Sequence, residues 1–177
     1  MTSIEFPNPL PGFDEPLALL RACHNKILLH CDLLERVAGS LENADSDFDS
    51  REAARKVISY FSSSARLHHQ DEEQDLFPLL VRQSLKIADL VNSLKQEHAT
   101  MDSLWQAIEP GLKRMPEPDD PAAFVTAATE FCSLNRAHVQ RENMEFLPLA
   151  QSSLSHRQLK DIGRAMAKRR GARYPGS

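Results

Sequence analysis

Apolar residues recur along this chain at steps of three and four, the spacing that gathers them on one face of an α-helix. Four long stretches carry the pattern. The first runs from about Glu15 to Leu41, with Leu17, Leu20, His24, Ile27, Cys31 and Leu34 on its inward line. In the second, which opens at Ser50, the line is Ile58, Phe61, Ala65, His68, Glu72, Leu76 and Leu79. The third covers roughly Lys86 to Met115 through Ile87, Leu90, Leu94, His98, Met101, Trp105, Ile108 and Leu112. The fourth follows Asp120 with Phe124, Ala128, Phe131, Asn135, His138, Glu142, Phe146 and Leu149. A His interrupts every line, and in the second and fourth a Glu follows it four residues later.

Punctuation between the stretches fits helices. Asp14 before Pro16, Ser50 before Arg51-Glu52 and Asp120 before Pro121 are expected N-caps, Pro being tolerated in a first turn because its missing N–H has no partner to lose. Pro78 lies inside the second stretch and is expected to kink the helix or end its regular part. The acidic loop Asn43 to Asp49 closes the first stretch, and Met115-Pro116-Glu117-Pro118 turns the third into the fourth. Short connections force neighbouring helices to run antiparallel, so the predicted fold is all-α, an up-down-up-down four-helix bundle. Residues 1–13, with Pro7, Pro9 and Pro11, form an extended arm; residues 14–153 form the bundle; residues 154–177 form a short basic helix, with a Ser155/Gln158 capping box, and its tail.

Length and composition narrow the class. A chain of 177 residues, 41% apolar and 26% charged, fits one core and excludes disorder. The net charge of -4 does not suggest a nucleic-acid binder as a whole, although seven Lys or Arg against one acid fall between Arg157 and Arg173. The start lacks a signal peptide's basic and apolar regions, and no apolar run is long enough to span a bilayer, so a cytoplasmic protein is expected. Cys23, Cys31 and Cys132 are odd in number and lack Cys-x-x-Cys spacing, which argues against a disulfide framework or a thiolate zinc site. There is no Gly-rich phosphate loop and no nucleophile with an evident base.

The histidines can be placed by counting. His24 and His68 each lie 22 residues from the first turn, near residue 46, and His98 and His138 each lie 20 from the third, near 118. At about 1.5 Å per residue, all four reach one level of the bundle. Six groups then converge: His24, His68, Glu72, His98, His138 and Glu142. Two ionised carboxylates in a bundle core are costly unless cations offset them, and four imidazoles with two carboxylates suit two divalent ions. Without thiolate, that donor set fits iron, manganese or zinc, and ligand type does not separate these three. His69 and Glu73 repeat the spacing, but on the line through Ser62 and Arg66, so they are assigned to water with His30 and His156. Cys23, Cys31 and Trp105 are assigned to packing.

The order His24, His68-x3-Glu72, His98, His138-x3-Glu142, closed by Phe77-Pro78 and Leu147-Pro148, resembles the hemerythrin-like (HHE cation-binding) family over nearly the whole bundle. The resemblance implies a non-haem di-iron centre, two iron ions bridged by the two glutamates and a solvent-derived oxygen. It also implies a function of binding dioxygen, sensing oxygen or redox state, handling iron, or aiding repair of iron centres. Oxygen carriers of the family place a further His four residues after the third helix's histidine, where this chain has Asp102; either Asp102 fills that position or a metal keeps it open. The expected partners are dioxygen or another small diatomic ligand and an electron donor, with a homodimer compatible and no nucleic acid or membrane. Two other functions use the same residues: turnover as a ferroxidase, peroxidase or nitric oxide reductase, or a metal-stabilised module whose basic last helix docks to an acidic partner.

Overall fold

The structure of the protein is a computed structural model that describes residues 11–41 and 49–176; most of the expected arm and the acidic loop lie outside the described residues. Helix α1 is Pro16–Gly39. Helix α2, residues 50–80, joins the α-helical segments Ser50–Ser59, Ala65–Gln70 and Phe77–Leu80 through π-helical turns at Tyr60–Ser64 and Asp71–Leu76. Helix α3 is Leu85–Lys113. Helix α4, residues 121–153, joins Pro121–Arg141 to Leu147–Ser153 through a π-helical turn at Glu142–Phe146, and α5 is His156–Arg169. No strand occurs among the described residues.

Caps explain where these helices start. Asp120 accepts from the Ala123 N–H and Ser84 from the Ile87 N–H, and Ser155 with Gln158 forms the expected capping box. Two expected caps are corrected. Asp49, not Ser50, caps α2, because its carboxylate accepts from both Arg51 and Glu52 N–H groups. The N-cap of α1 is Glu15 without a side-chain bond, so Pro16 alone sets that start.

Neighbouring helices run antiparallel, as expected. Between α1 and α4, Arg136 pairs with Asp32 and Glu35 while His24 meets Asn143. Between α2 and α3, Ser62 donates to Glu109 while Glu73 meets His98. Pro78 does not end α2, nor Pro148 α4. A proline ring collides with the carbonyl four residues back. Here the turn before each proline is widened: the Phe77 N–H reaches back five residues to the Glu72 carbonyl, and the Leu147 N–H does the same to Glu142. The widening also moves the buried face. Leu80 and Ala150 are buried where Leu79 and Leu149 were expected; Val57, buried in place of Ile58, lies before any widened turn and is a separate difference.

The core divides into two apolar clusters. One is built on Ile27, Leu34, Val57, Phe61, Ile108 and Phe131; the other on Leu20, Leu76, Phe77, Leu94, Phe146 and Met166. Between them lies a layer of buried polar side chains. Helix α5 packs on α1 and on the π-helical turn of α2. It contributes Ile162 and Met166 to the second cluster and turns Arg169 and Arg170 onto the fully buried Asp71. Arg170 reaches Asp71 Oδ2 at 2.6 Å, and Arg169 also holds Asp75 at 2.7 Å. These two cations of the basic segment are therefore engaged inside the chain, which weakens its reading as a dock for an acidic partner. Among the described residues no helix is long and apolar enough to cross a membrane.

Candidate metal centre

The polar layer consists of the six residues that the counting brings to one level. His24, His68, Glu72 and Glu142 are completely buried, and His98 and His138 are 2% exposed. Their donor atoms form two overlapping groups, one of His24, His68, Glu72 and Glu142 and one of Glu72, His98, His138 and Glu142, the atoms of each lying within 4.8 Å of one another. The carboxylates divide their oxygens between the groups. Glu72 turns Oε1 to His68 at 3.3 Å and Oε2 to His98 at 3.5 Å. Glu142 turns Oε2 to His24 at 2.9 Å and Oε1 to His138 at 3.3 Å.

Outer partners aim the imidazoles. The Nδ1 edge of His98 meets the Glu73 carboxylate at 2.8 Å, that of His138 meets Glu97 at 2.6 Å, and that of His24 meets the Asn143 side-chain oxygen at 2.8 Å. An Nδ1–H donating outward leaves the Nε2 lone pair facing the centre, the usual arrangement around a histidine that binds metal. Arg141 pins Glu97 in turn, at 2.8 Å.

Within the layer the hydrogen-bonding capacity is largely unused. Both oxygens of Glu72, Oε1 of Glu142 and both ring nitrogens of His68 are buried without a hydrogen bond, and the 2.9 Å approach of His24 Nε2 to Glu142 Oε2 is an ion-pair contact without hydrogen-bond alignment. Buried polar atoms are rarely left so, and each specific case requires a cause. Several acceptors converging on one point, with donors turned away, leave space of the right chemistry for cations. This donor set, imidazole and carboxylate without sulfur, fits iron and its divalent neighbours.

Without metal, protons hold the charge balance. Burial alone would depress the His24 imidazole, but Glu142 and Glu72 beside it prevail and raise it to about 10. His138 undergoes the same contest against Glu142 and rises to about 9. Burial works against the Glu142 carboxylate, yet His138 and His24 hold it well below the ordinary carboxylate range. Glu72, pushed up by burial and by Glu142, reaches about 6.

His69 is where the sequence-based assignment fails. Of the line Ser62, Arg66, His69, Glu73, only Arg66 is exposed; the others are half-buried against α3, and Ser62, Arg66 and His69 line a part-open cavity of about 270 Å³. The His69 ring stacks on His98, centroids 3.8 Å apart and 13° from parallel, and its nitrogens join those of His98 and His138 in a third group within 4.8 Å. Burial and then the His98 and His138 rings depress it well below an ordinary histidine. Asp102 lines the same cavity but is exposed and belongs to none of the three groups. His30 is also partly buried, stacked on Tyr60 at 3.8 Å; His156 is exposed as expected. The sequence reading had no place for Glu73, Glu97 and Asn143 as outer partners, although Glu73 and Asn143 each directly follow a glutamate of the centre.

The fold and this layer define a class: a helical bundle with a buried histidine–glutamate centre suited to cations. The hemerythrin HHE cation binding domain matches residues 15–150, and the chain belongs to that family. An uncharacterised protein of Haemophilus influenzae is 26% identical over 164 residues, covering 93% of this chain and 95% of its own length.

Proposed function

We propose that the chain is a di-iron protein whose centre binds or reacts with dioxygen, peroxide or nitric oxide, in sensing, iron handling or defence against oxidative or nitrosative stress. The observation that carries this reading is the division of each glutamate's oxygens between two histidine pairs, which suits a carboxylate bridging two ions and has no use around one. In this reading His24 and His68 would hold one iron and His98 and His138 the other, with Glu72 and Glu142 available to both. When bound, ferrous iron would supply electrons to a small oxidant and open positions to bind it. The protein's own contribution is exclusion of water by the two apolar clusters and orientation of the His98, His138 and His24 imidazoles through Glu73, Glu97 and Asn143. Family membership supports a cation; iron over manganese or zinc rests on the resemblance to di-iron members.

The test is rapid anaerobic mixing of the ferrous protein with dioxygen, and separately with nitric oxide, followed by absorption spectroscopy. The proposal expects a new visible band with either gas, lost in Glu72→Ala. No band with either would contradict it. Sustained turnover with an added electron donor, abolished by the same substitution, would move the protein to the enzyme reading.

A further inference from the structure

Consecutive residues of an α-helix point about 100° apart, so two adjacent histidines cannot both aim along the bundle axis. They can straddle it. On α2, His68 leans toward α1, where its ring meets His24 at 4.9 Å, and His69 leans toward α3, where it lies on His98. Glu72, four residues after one and three after the other, falls between the two directions. The arrangement is not mirrored on α4, where the residue after His138 is the apolar Val139.

We propose that His69 is a fifth imidazole ligand of the centre, giving the ion beside His98 and His138 three histidines while the other ion keeps two. This rests on the two-ion reading above and adds to it an asymmetry between the ions. The position that oxygen carriers of the family fill from the third helix would here be filled from the second. Donor separation permits it: imidazole nitrogens bound at about 2.0–2.1 Å to a shared ion lie up to about 4.2 Å apart. The nitrogens of His69, His98 and His138 are already within 4.8 Å. The near-parallel stack on His98 keeps the two rings' lone pairs from converging, since each lies in its own ring plane, so ligation requires the His69 ring to rotate out of that stack. No hydrogen bond opposes that rotation: among the described residues neither nitrogen of His69 is held by one, whereas His24, His98 and His138 are each tied at Nδ1. The cavity on its far side gives the ring room.

The test compares wild type with His69→Phe, which keeps a ring against His98 and removes the nitrogens, and with Glu73→Gln, which alters only an outer partner. The full chain is reconstituted anaerobically with ferrous iron, and iron-edge X-ray absorption counts imidazoles per iron. Chelator competition measures the affinity of each ion. The inference expects five imidazoles shared by two irons in wild type and four in His69→Phe, with one iron weakened beyond the roughly 10–100-fold that loss of an outer partner costs. An unchanged imidazole count with both irons held at wild-type affinity would overturn it. Should wild type itself fail to take two irons, the two-ion reading fails first and the inference falls with it, a separate result. Where the phenylalanine lowers the melting temperature of the metal-free chain, His69→Gln provides the same comparison.

Discussion

At the scale of the residue, the centre is a set of acids and bases held in contest. His24 and His138, raised to about 10 and about 9 in the metal-free chain, are protonated at neutral pH and neutralise Glu72 and Glu142. A metal needs their lone pairs, so loading must expel those protons. Binding of two ions at pH 7 is therefore expected to release about two protons, seen as a buffer-dependent heat in calorimetry, and apparent affinity should rise with pH until about 10. Proton release near zero would show that the histidines were already neutral. The same values set the stability of the metal-free form. A raised histidine contributes stability that is complete below its ordinary value of 6.5 and lost as pH rises through its folded value. The depressed Glu142 contributes stability present above the ordinary carboxylate range and lost on acidification through its folded value. The metal-free melting temperature should thus decline as pH rises from about 6.5 to about 10 and again as pH falls below the ordinary carboxylate range, while the loaded protein, its histidines bound, resists the alkaline decline. Six of these residues were legible in the sequence because each interrupts an apolar line at a computable height. His69 was not, because polarity along a helix face was equated with full exposure, whereas this face is half-buried against α3 and carries the His69 ring onto His98.

At the scale of the element, the π-helical turns and α5 shape the site. Two of the three π-helical turns, Asp71–Leu76 and Glu142–Phe146, begin at or beside a glutamate of the centre and end before a proline, and such turns are often found at functional sites. They could not be read from periodicity, which assumes a constant pitch; a single extra residue per turn is what displaced Leu79 and Leu149 from the buried face. Pro78 and Pro148 were visible as perturbations, and their outcome depended on how the backbone widened. Helix α5 was visible through its capping box, but not its docking, since Asp71 looks like any surface acid in sequence. Burial of Asp71 is tolerable only because Arg169 and Arg170 meet it. Removing the partners of a buried charge typically costs about 3–5 kcal/mol. The double substitution Arg169→Ala/Arg170→Ala should therefore lower urea stability by about 3 kcal/mol, and adding Asp71→Leu should recover much of it. A loss below about 1 kcal/mol in the double variant would show that α5 is held by its apolar face alone.

At the scale of the whole molecule, the bundle is two apolar cores clamped about a polar layer, and metal is expected to join them. Anything that binds only the folded state stabilises it by mass action, about 2.7 kcal/mol at a hundredfold excess over Kd. Ferrous iron should accordingly raise the melting temperature of wild type under anaerobic conditions and leave Glu72→Ala/Glu142→Ala nearly unmoved. The four-helix topology was legible throughout because short turns and matched heights leave few alternatives. The central claim, two ions bridged by two glutamates, is tested most directly by metal content after anaerobic reconstitution and removal of loose iron. Two irons per chain in wild type, falling sharply in His138→Ala and in Glu72→Ala, is the predicted result. One iron or none retained by a folded wild-type chain would contradict it.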